Sequence, residues 1–137
     1  MIGLFTFFGW IANTLMALHL AIVFLNVHYQ EKLNCINAFK IGFITAFIGV
    51  VYDLFTDPVA TALKVWVWSH EGPWFGVPTG NFIGWFVILA SSTIGYYFTI
   101  SYGKSEMQRI ALAIMSVIIG SLCVTSVMSL CIQLGIH

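Results

Sequence analysis

The chain has 137 residues, of which 60% are hydrophobic and 7% are charged, and its mean hydropathy is +0.97. Five Lys/Arg and five Asp/Glu residues give a formal net charge of zero. Because a soluble domain typically carries about 25% charged residues, this chain lacks the polar side chains that would cover a soluble core of its size. The composition excludes an ordinary soluble domain. Without a basic cluster to neutralise phosphates, it also argues against nucleic acid as a partner.

Four apolar stretches approach the roughly 20 residues needed to cross the hydrocarbon core of a bilayer. The predicted spans are residues 4–27, 41–63, 82–102 and 110–134. The first has no basic leader or cleavage site of a signal peptide, so we expect it to remain as an anchor. The second reaches spanning length only if its helix continues past Asp53 and Asp57, and Pro58 predicts a break or kink within it. The sequence therefore predicts a single all-α integral membrane domain, 1–137, with about four transmembrane helices.

Residues 64–81, KVWVWSHEGPWFGVPTGN, separate the second and third spans. Three glycines and two prolines interrupt this segment too often for a regular spanning helix, so we predict a structured loop. The connection between the third and fourth spans is short, which predicts that these two helices pack antiparallel.

The basic residues predict an orientation, because cytoplasmic connections carry an excess of Lys and Arg. Four of the five basic residues lie in the first and third connections, and one lies in the second. They are Lys32, Lys40, Lys104 and Arg109, against Lys64. We expect the first and third connections to be cytoplasmic in a bacterial or archaeal cell membrane. Both termini and the loop 64–81 would then be non-cytoplasmic.

The stretch 52–85 holds three of the five acidic residues and four of the five tryptophans. Asp53 and Asp57 are four residues apart, so on a helix they share one face and their charges would repel. A low-dielectric site and a like-charged neighbour favour the neutral carboxylic acid, which makes one aspartate a candidate proton donor. A capping role is the alternative for Asp57, which precedes Pro58. An intramembrane carboxylate is costly to keep, and this favours function at Asp53.

The aromatic residues of the same stretch allow two interpretations. They form the aromatic belt found where helices leave the bilayer, or they line an apolar pocket that holds a flat polyene and stabilises a carbocation by cation–π attraction. Glu71 and His70 lie on the loop and are candidates to relay a proton or position water. The candidate catalytic residues are Asp53, Asp57 and Glu71. The candidate substrate-binding residues are Trp66, Trp68, Trp74, Phe75, Asn81 and Trp85.

Outside this stretch, His19 lies within the first span, with Asn13 and Thr14 one or two turns earlier. This predicts a polar patch facing the bundle interior, with a hydrogen-bonded histidine favoured over a ligand or base.

No metal-ligand spacing and no HExxH, GxSxG, P-loop or Rossmann fingerprint is present, so we predict neither a metal nor a cofactor. The cysteines show no CxxC pairing and are expected to be structural. They are Cys35, Cys123 and Cys131.

The ordered motifs DPVA, WVW and EGPWFGVPTGNFIGW resemble the signature of the membrane carotenoid biosynthesis proteins, which include carotenoid 1,2-hydratases. The resemblance covers residues 52–85, about a quarter of the chain, and elsewhere it is one of hydropathy alone. It implies that a carboxylic acid protonates the terminal double bond of a carotenoid and that water adds to the resulting cation. The chain is about half the length of the members it resembles. That length implies a homo-oligomer or a second membrane subunit.

Three classes of function follow from these observations. A carotenoid hydratase that acts on an apolar isoprenoid in the lipid bilayer would depend on its acidic residues. A non-catalytic subunit that binds a carotenoid or a lipid would depend on its aromatic residues instead. A small transporter is disfavoured, because one acid pair and one interior histidine do not provide a charged pathway.

Overall fold

The computed structural model describes the backbone of residues 2–26 and 34–135, and the side chains of these residues except 2–7, 113, 117 and 128. The described residues form α-helices and no strand. The helices are α1, Ile2–Phe24; α2, Cys35–Ala62; α3, Thr79–Tyr102; and α4, Glu106–Gln133. The last three are long and apolar enough to cross a membrane, and the stretch Phe8–Phe24 of α1 is a shorter apolar helix. The prediction of an all-α membrane protein with about four helices is confirmed.

All four helices begin earlier than the apolar spans that predicted them, and in two of them the earlier start has a polar side-chain cap. The side chain of Asn34 accepts a hydrogen bond from the backbone N–H of Asn37 (2.8 Å), so α2 begins at residue 35 rather than 41. Ser105 does the same for Gln108 (3.3 Å), so α4 begins at 106. Residues 27–33, which include Lys32 of the predicted first connection, lie outside the described residues.

Helix α2 continues without interruption through Pro58. Proline has no N–H, so Pro58 cannot donate to the carbonyl oxygen of Leu54, its partner in a regular α-helix. The indole Nε1–H of Trp74 donates to that oxygen instead, with an N–O distance of 2.9 Å. The predicted break at Pro58 is therefore wrong, because a side chain of the following loop satisfies the carbonyl that proline leaves free.

The helices pack in chain order, α1 on α2, α2 on α3 and α3 on α4. Glycines allow close approach: a Cβ atom at Gly49 of α2 would overlap Leu89 of α3, and one at Gly95 of α3 would overlap Ser116 of α4. Arg109, at the start of α4, lies beside Gly103, which follows α3. Consecutive helices therefore run antiparallel, as the short connection between α3 and α4 predicts. Most described side chains of α4 are exposed, because among the described helices its extensive packing is against α3.

Candidate functional site

Asp53 and Asp57 lie together on one face of α2, as their spacing predicts, and they are only 5% and 3% exposed. Their carboxyl groups share one hydrogen-bond donor on α3. Asn81, in the first turn of α3, donates from Nδ2 to Asp53 Oδ2 (3.1 Å) and to Asp57 Oδ2. Because an amide nitrogen carries two hydrogens, one Asn81 side chain can serve both carboxyl groups. We call Asp53, Asp57 and Asn81 the acid site.

The interpretation of Asp57 as a helix cap is wrong. Asp57 lies inside α2, more than 20 residues after the N-cap residue Asn34. Its carboxyl group accepts from the side chain of Asn81 rather than from backbone amides at a helix start. The proline that follows it is part of the same helix, so no new helix begins there.

The loop 63–78 folds back along the last turns of α2, the end of the helix that carries the acid site. Trp68 donates from Nε1 to Thr61 Oγ1 (3.0 Å), and Trp74 donates to the Leu54 carbonyl further back along the helix. Val77, near the end of the loop, is completely buried. The predicted structured loop is confirmed, because hydrogen bonds from two of its tryptophans hold it against α2.

A tight turn at residues 74–77 shapes the tip of this loop. The backbone N–H of Val77 donates to the Trp74 carbonyl (2.9 Å), while Phe75 and Gly76 have φ angles of +50° and +86°. Positive φ at both central residues is typical of a type I′ turn. Since the left-handed conformation costs an L-residue about 1–2 kcal/mol, Phe75 is held in a strained position by the hydrogen bonds around it. Its ring is 73% exposed.

The predicted substrate-binding residues are divided between the loop and α3. Asn81 belongs to the acid site, and Trp85, one turn later, contacts Trp10 of α1 edge-to-face with a ring-centroid distance of 5.1 Å. Trp66 has a buried indole nitrogen with no partner among the described residues. Trp68, Trp74 and Phe75 stay on the loop. The structure thus places Asn81 at the acid site, Trp85 one turn later on α3, and the other four residues on the loop that lies against α2.

Glu71 is exposed on the loop, as is its neighbour His70. The His70 ring lies 3.2 Å from the Ser69 hydroxyl. Glu71 therefore differs from the two aspartates in its environment, because Glu71 is exposed whereas Asp53 and Asp57 are buried. Of the three candidate catalytic residues, only Asp53 and Asp57 come together.

The predicted interior patch of α1 is only partly correct. Asn13 is 8% exposed, and its Oδ1 has no hydrogen-bond partner among the described residues. Thr14 donates to the Trp10 carbonyl of its own helix (2.9 Å). His19 is exposed, so it does not face the interior. The reason is geometric: six residues span about one and two-thirds turns, so Asn13 and His19 lie on different faces of α1.

A cavity of about 340 Å³ lies away from the acid site, between α3 and α4. Its walls are mainly apolar and include Ile94, Phe98, Met115 and Ile119. None of the three acid-site residues lines it. The space between α3 and α4 and the buried carboxyl pair are therefore separate features of the molecule.

The cysteines differ in environment, since Cys131 is buried whereas Cys35 and Cys123 are exposed, and all three are free thiols. Within residues 2–26 and 34–135, no three His, Cys, Asp or Glu side chains converge in a way that would hold a metal ion.

The sequence predicts a substrate-binding role for Asn81 but does not predict that its side chain bridges the two carboxyl groups. It also predicts a role for Asn13 only together with His19. A polar residue at the start of an apolar span is the available signal for Asn81, but its partner depends on how α3 lies against α2. Asn13 is likewise identified by its burial, which local sequence does not reveal.

Comparison with known proteins identifies the family of the chain. A family model described as carotenoid biosynthesis protein matches residues 3–137. No curated protein and no solved structure matches. The family match extends far beyond residues 52–85, so the expectation that the flanking spans are similar in hydropathy alone is wrong. The chain belongs to the carotenoid biosynthesis protein family.

Proposed function

We propose that this protein adds water to a terminal carbon–carbon double bond of a carotenoid. The observation that supports the proposal is the buried acid site, in which Asp53 and Asp57 share one amide donor. Two adjacent carboxyl groups away from water are expected to hold one proton between them, because two negative charges would repel. The pair then offers one acid and one base, and alkene hydration uses one of each.

In the proposed reaction, the carboxylic acid donates its proton to the less substituted carbon of the terminal double bond. The π electrons form the new C–H bond and leave a tertiary carbocation. The oxygen of a water molecule then bonds to the cationic carbon, and the proton released from that water passes to the carboxylate. The substrate gains one water, and the acid site again holds one proton, so the reaction balances with carotenoid and water alone.

We assign the acid to Asp53 and the base to Asp57. The Asn81 nitrogen lies closer to Asp57 than to Asp53. Hydrogen bonds to an ionised acceptor are shorter than those to a neutral one. The closer contact therefore favours the ionised form at Asp57, which leaves the proton on Asp53.

Trp85 and Trp10 form a pair of contacting indole rings one turn of α3 from Asn81. Trp85 follows Asn81 by one turn of α3, and Trp10 contacts it from α1. The faces of indole rings attract cations, with an interaction that strengthens when the cation is shielded from water. We propose that this pair of rings binds the polyene end group and shelters the carbocation.

The test is expression of the chain alone in a bacterium that makes carotenoids but no hydrated ones, grown in water enriched in oxygen-18. We expect a new carotenoid alcohol that is one water heavier than its precursor and carries the isotope, detected by mass spectrometry. The vector alone and the double variant Asp53→Asn/Asp57→Asn are the controls. If the inserted wild-type chain yields no labelled alcohol, the hydratase proposal is wrong.

A second candidate is a non-catalytic subunit that binds a carotenoid or lipid. The apolar cavity of about 340 Å³ between α3 and α4 favours it, as does the almost complete burial of both carboxyl groups. In this candidate, a second copy of the chain or another membrane protein would cover the surface of α4 that α3 leaves exposed. In the same experiment it predicts unaltered pigment that co-purifies with the chain.

We further propose that the acid site lies near the non-cytoplasmic side of the membrane. Lys40, Lys104 and Arg109 lie at one end of the antiparallel helices, whereas the loop 63–78 lies at the other end. In a background without the native cysteines, a membrane-impermeant maleimide should label Ser69→Cys in intact cells. Lys104→Cys should react only after the membrane is permeabilised. The opposite pattern would reverse the orientation.

A further inference from the structure

The buried amide of Asn13 in α1 is a polar group that the mechanism above does not use. We propose that its Oδ1 atom binds the attacking water at the acid site. This inference rests on the proposed hydratase function and adds to it a residue from a third helix. Its basis is the burial of Asn13, its position relative to Asp53 and the hydrogen-bonding capacity that remains at the site.

Asn13 is 8% exposed, and Oδ1 is a buried acceptor with no partner among the described residues. A buried polar atom without a hydrogen bond is unfavourable, and the penalty is greatest in an apolar environment. Membrane helices generally satisfy such groups across a helix interface or at a functional site. An unsatisfied amide oxygen on the inner face of α1 is therefore suited to a ligand that brings an O–H donor.

Helix packing places Asn13 at the level of Asp53. Ala17 of α1 lies 3.9 Å from the position that a Cβ atom of Gly49 would occupy on α2. The two helices are antiparallel, so one turn back from Ala17 on α1 corresponds to one turn forward from Gly49 on α2. Those positions are Asn13 and Asp53. The same antiparallel register brings together a buried cluster further along, which contains Ala21, Ile22, Ala38 and Ile41.

Contacts with α3 support the same location. Trp10 precedes Asn13 by about one turn of α1, and Trp85 follows Asn81 by about one turn of α3. The two indole rings contact each other with their centroids 5.1 Å apart. This contact holds the turn of α1 that precedes Asn13 against the turn of α3 that follows Asn81. Asn13, Asp53 and Asn81 are therefore contributed to one region by three different helices.

The hydrogen-bonding roles of the two asparagines are complementary. Asn81 already directs Nδ2 at both carboxyl groups, so it supplies donors. Asn13 supplies an acceptor, and a water molecule has two hydrogens to donate. One hydrogen bonds to Asn13 Oδ1 and the other faces the Asp57 carboxylate. The oxygen lone pair is then free to form the C–O bond, and the proton that water loses goes to Asp57.

The inference is tested by how the carbocation partitions in deuterated water. A cation captured by water becomes the alcohol, whereas a cation that instead loses a proton returns to an alkene that carries deuterium. Membranes containing the wild-type protein or Asn13→Leu are supplied with the unsaturated carotenoid in D₂O. We expect the ratio of alcohol to deuterated alkene to fall about 10-fold in Asn13→Leu, the effect of losing one well-placed hydrogen bond.

His19→Leu is the matched control, since it also replaces a polar residue of α1 with leucine but at an exposed position, and it should leave the ratio unchanged. The thermal unfolding midpoint of Asn13→Leu in detergent should equal or exceed that of the wild type, because the variant removes an unsatisfied buried atom. A lower midpoint, or a ratio that does not fall, would overturn the inference. If the wild-type protein gives neither alcohol nor deuterium exchange, the hydratase function itself fails, and this inference fails with it.

Discussion

Replacement of Asp53 with asparagine is expected to lower the rate of carotenoid hydration at least 100-fold. The amide preserves the shape of the side chain and its burial, but it cannot donate a proton to the double bond, and general acid catalysis typically contributes about 10²–10⁴-fold. Asp57→Asn should cost at least about 10-fold, because the proton released from water then has no carboxylate to accept it. The measurement is the initial rate of alcohol formation in membranes that contain equal amounts of each variant.

Glu71→Gln is the matched control for this prediction. It makes the same carboxyl-to-amide change 14 residues after Asp57, at an exposed position on the loop. We expect its rate to be within about 2-fold of the wild type, the small effect usual for an exposed substitution. A large loss in Glu71→Gln, together with normal rates in both aspartate variants, would transfer the acid to the loop and remove the basis of the proposed mechanism.

The second large effect concerns the hydrogen bond between Trp74 and the Leu54 carbonyl. Trp74→Phe should destabilise the protein by about 1–2 kcal/mol, because it leaves a carbonyl without a partner in an apolar region. In a Pro58→Ala background, the restored N–H of residue 58 can bond to Leu54, so the same Trp74→Phe change should cost about half as much or less. The measurement is a double-mutant cycle on the free energy of unfolding in detergent, with a coupling energy of about 1 kcal/mol expected.

Trp68→Phe provides the comparison within the same loop. Trp68 also donates from Nε1, but to the Thr61 hydroxyl, which does not depend on the proline. Its cost should therefore be the same with proline or alanine at position 58. If Trp74→Phe and Trp68→Phe were equally insensitive to residue 58, Trp74 would not be the group that compensates for the proline.

The predictions that succeeded depend on properties that are local in the sequence. Long apolar runs identify membrane helices because the bilayer sets their length, and α3 ends where the run ends, at Tyr102. Glycine and proline mark the loop between α2 and α3 because they disfavour regular helix. The predicted break at Pro58 is wrong because helix continuity there depends on a residue that is distant in the sequence. The group that compensates for Pro58 is Trp74, 16 residues later in the chain.

Hydropathy and helical periodicity act over a few turns, so the amino-acid sequence is enough to predict the membrane class, the succession of helices and the placement of Asp53 and Asp57 on one face. The partners of those carboxyl groups depend on how the helices pack. Asn81 reaches both of them because α3 lies antiparallel to α2 in one register. Burial likewise distinguishes the aspartates from Glu71, and Asn13 from His19. A residue's exposure and hydrogen-bond partners depend on packing between segments far apart in the chain, and local sequence carries little information about that packing.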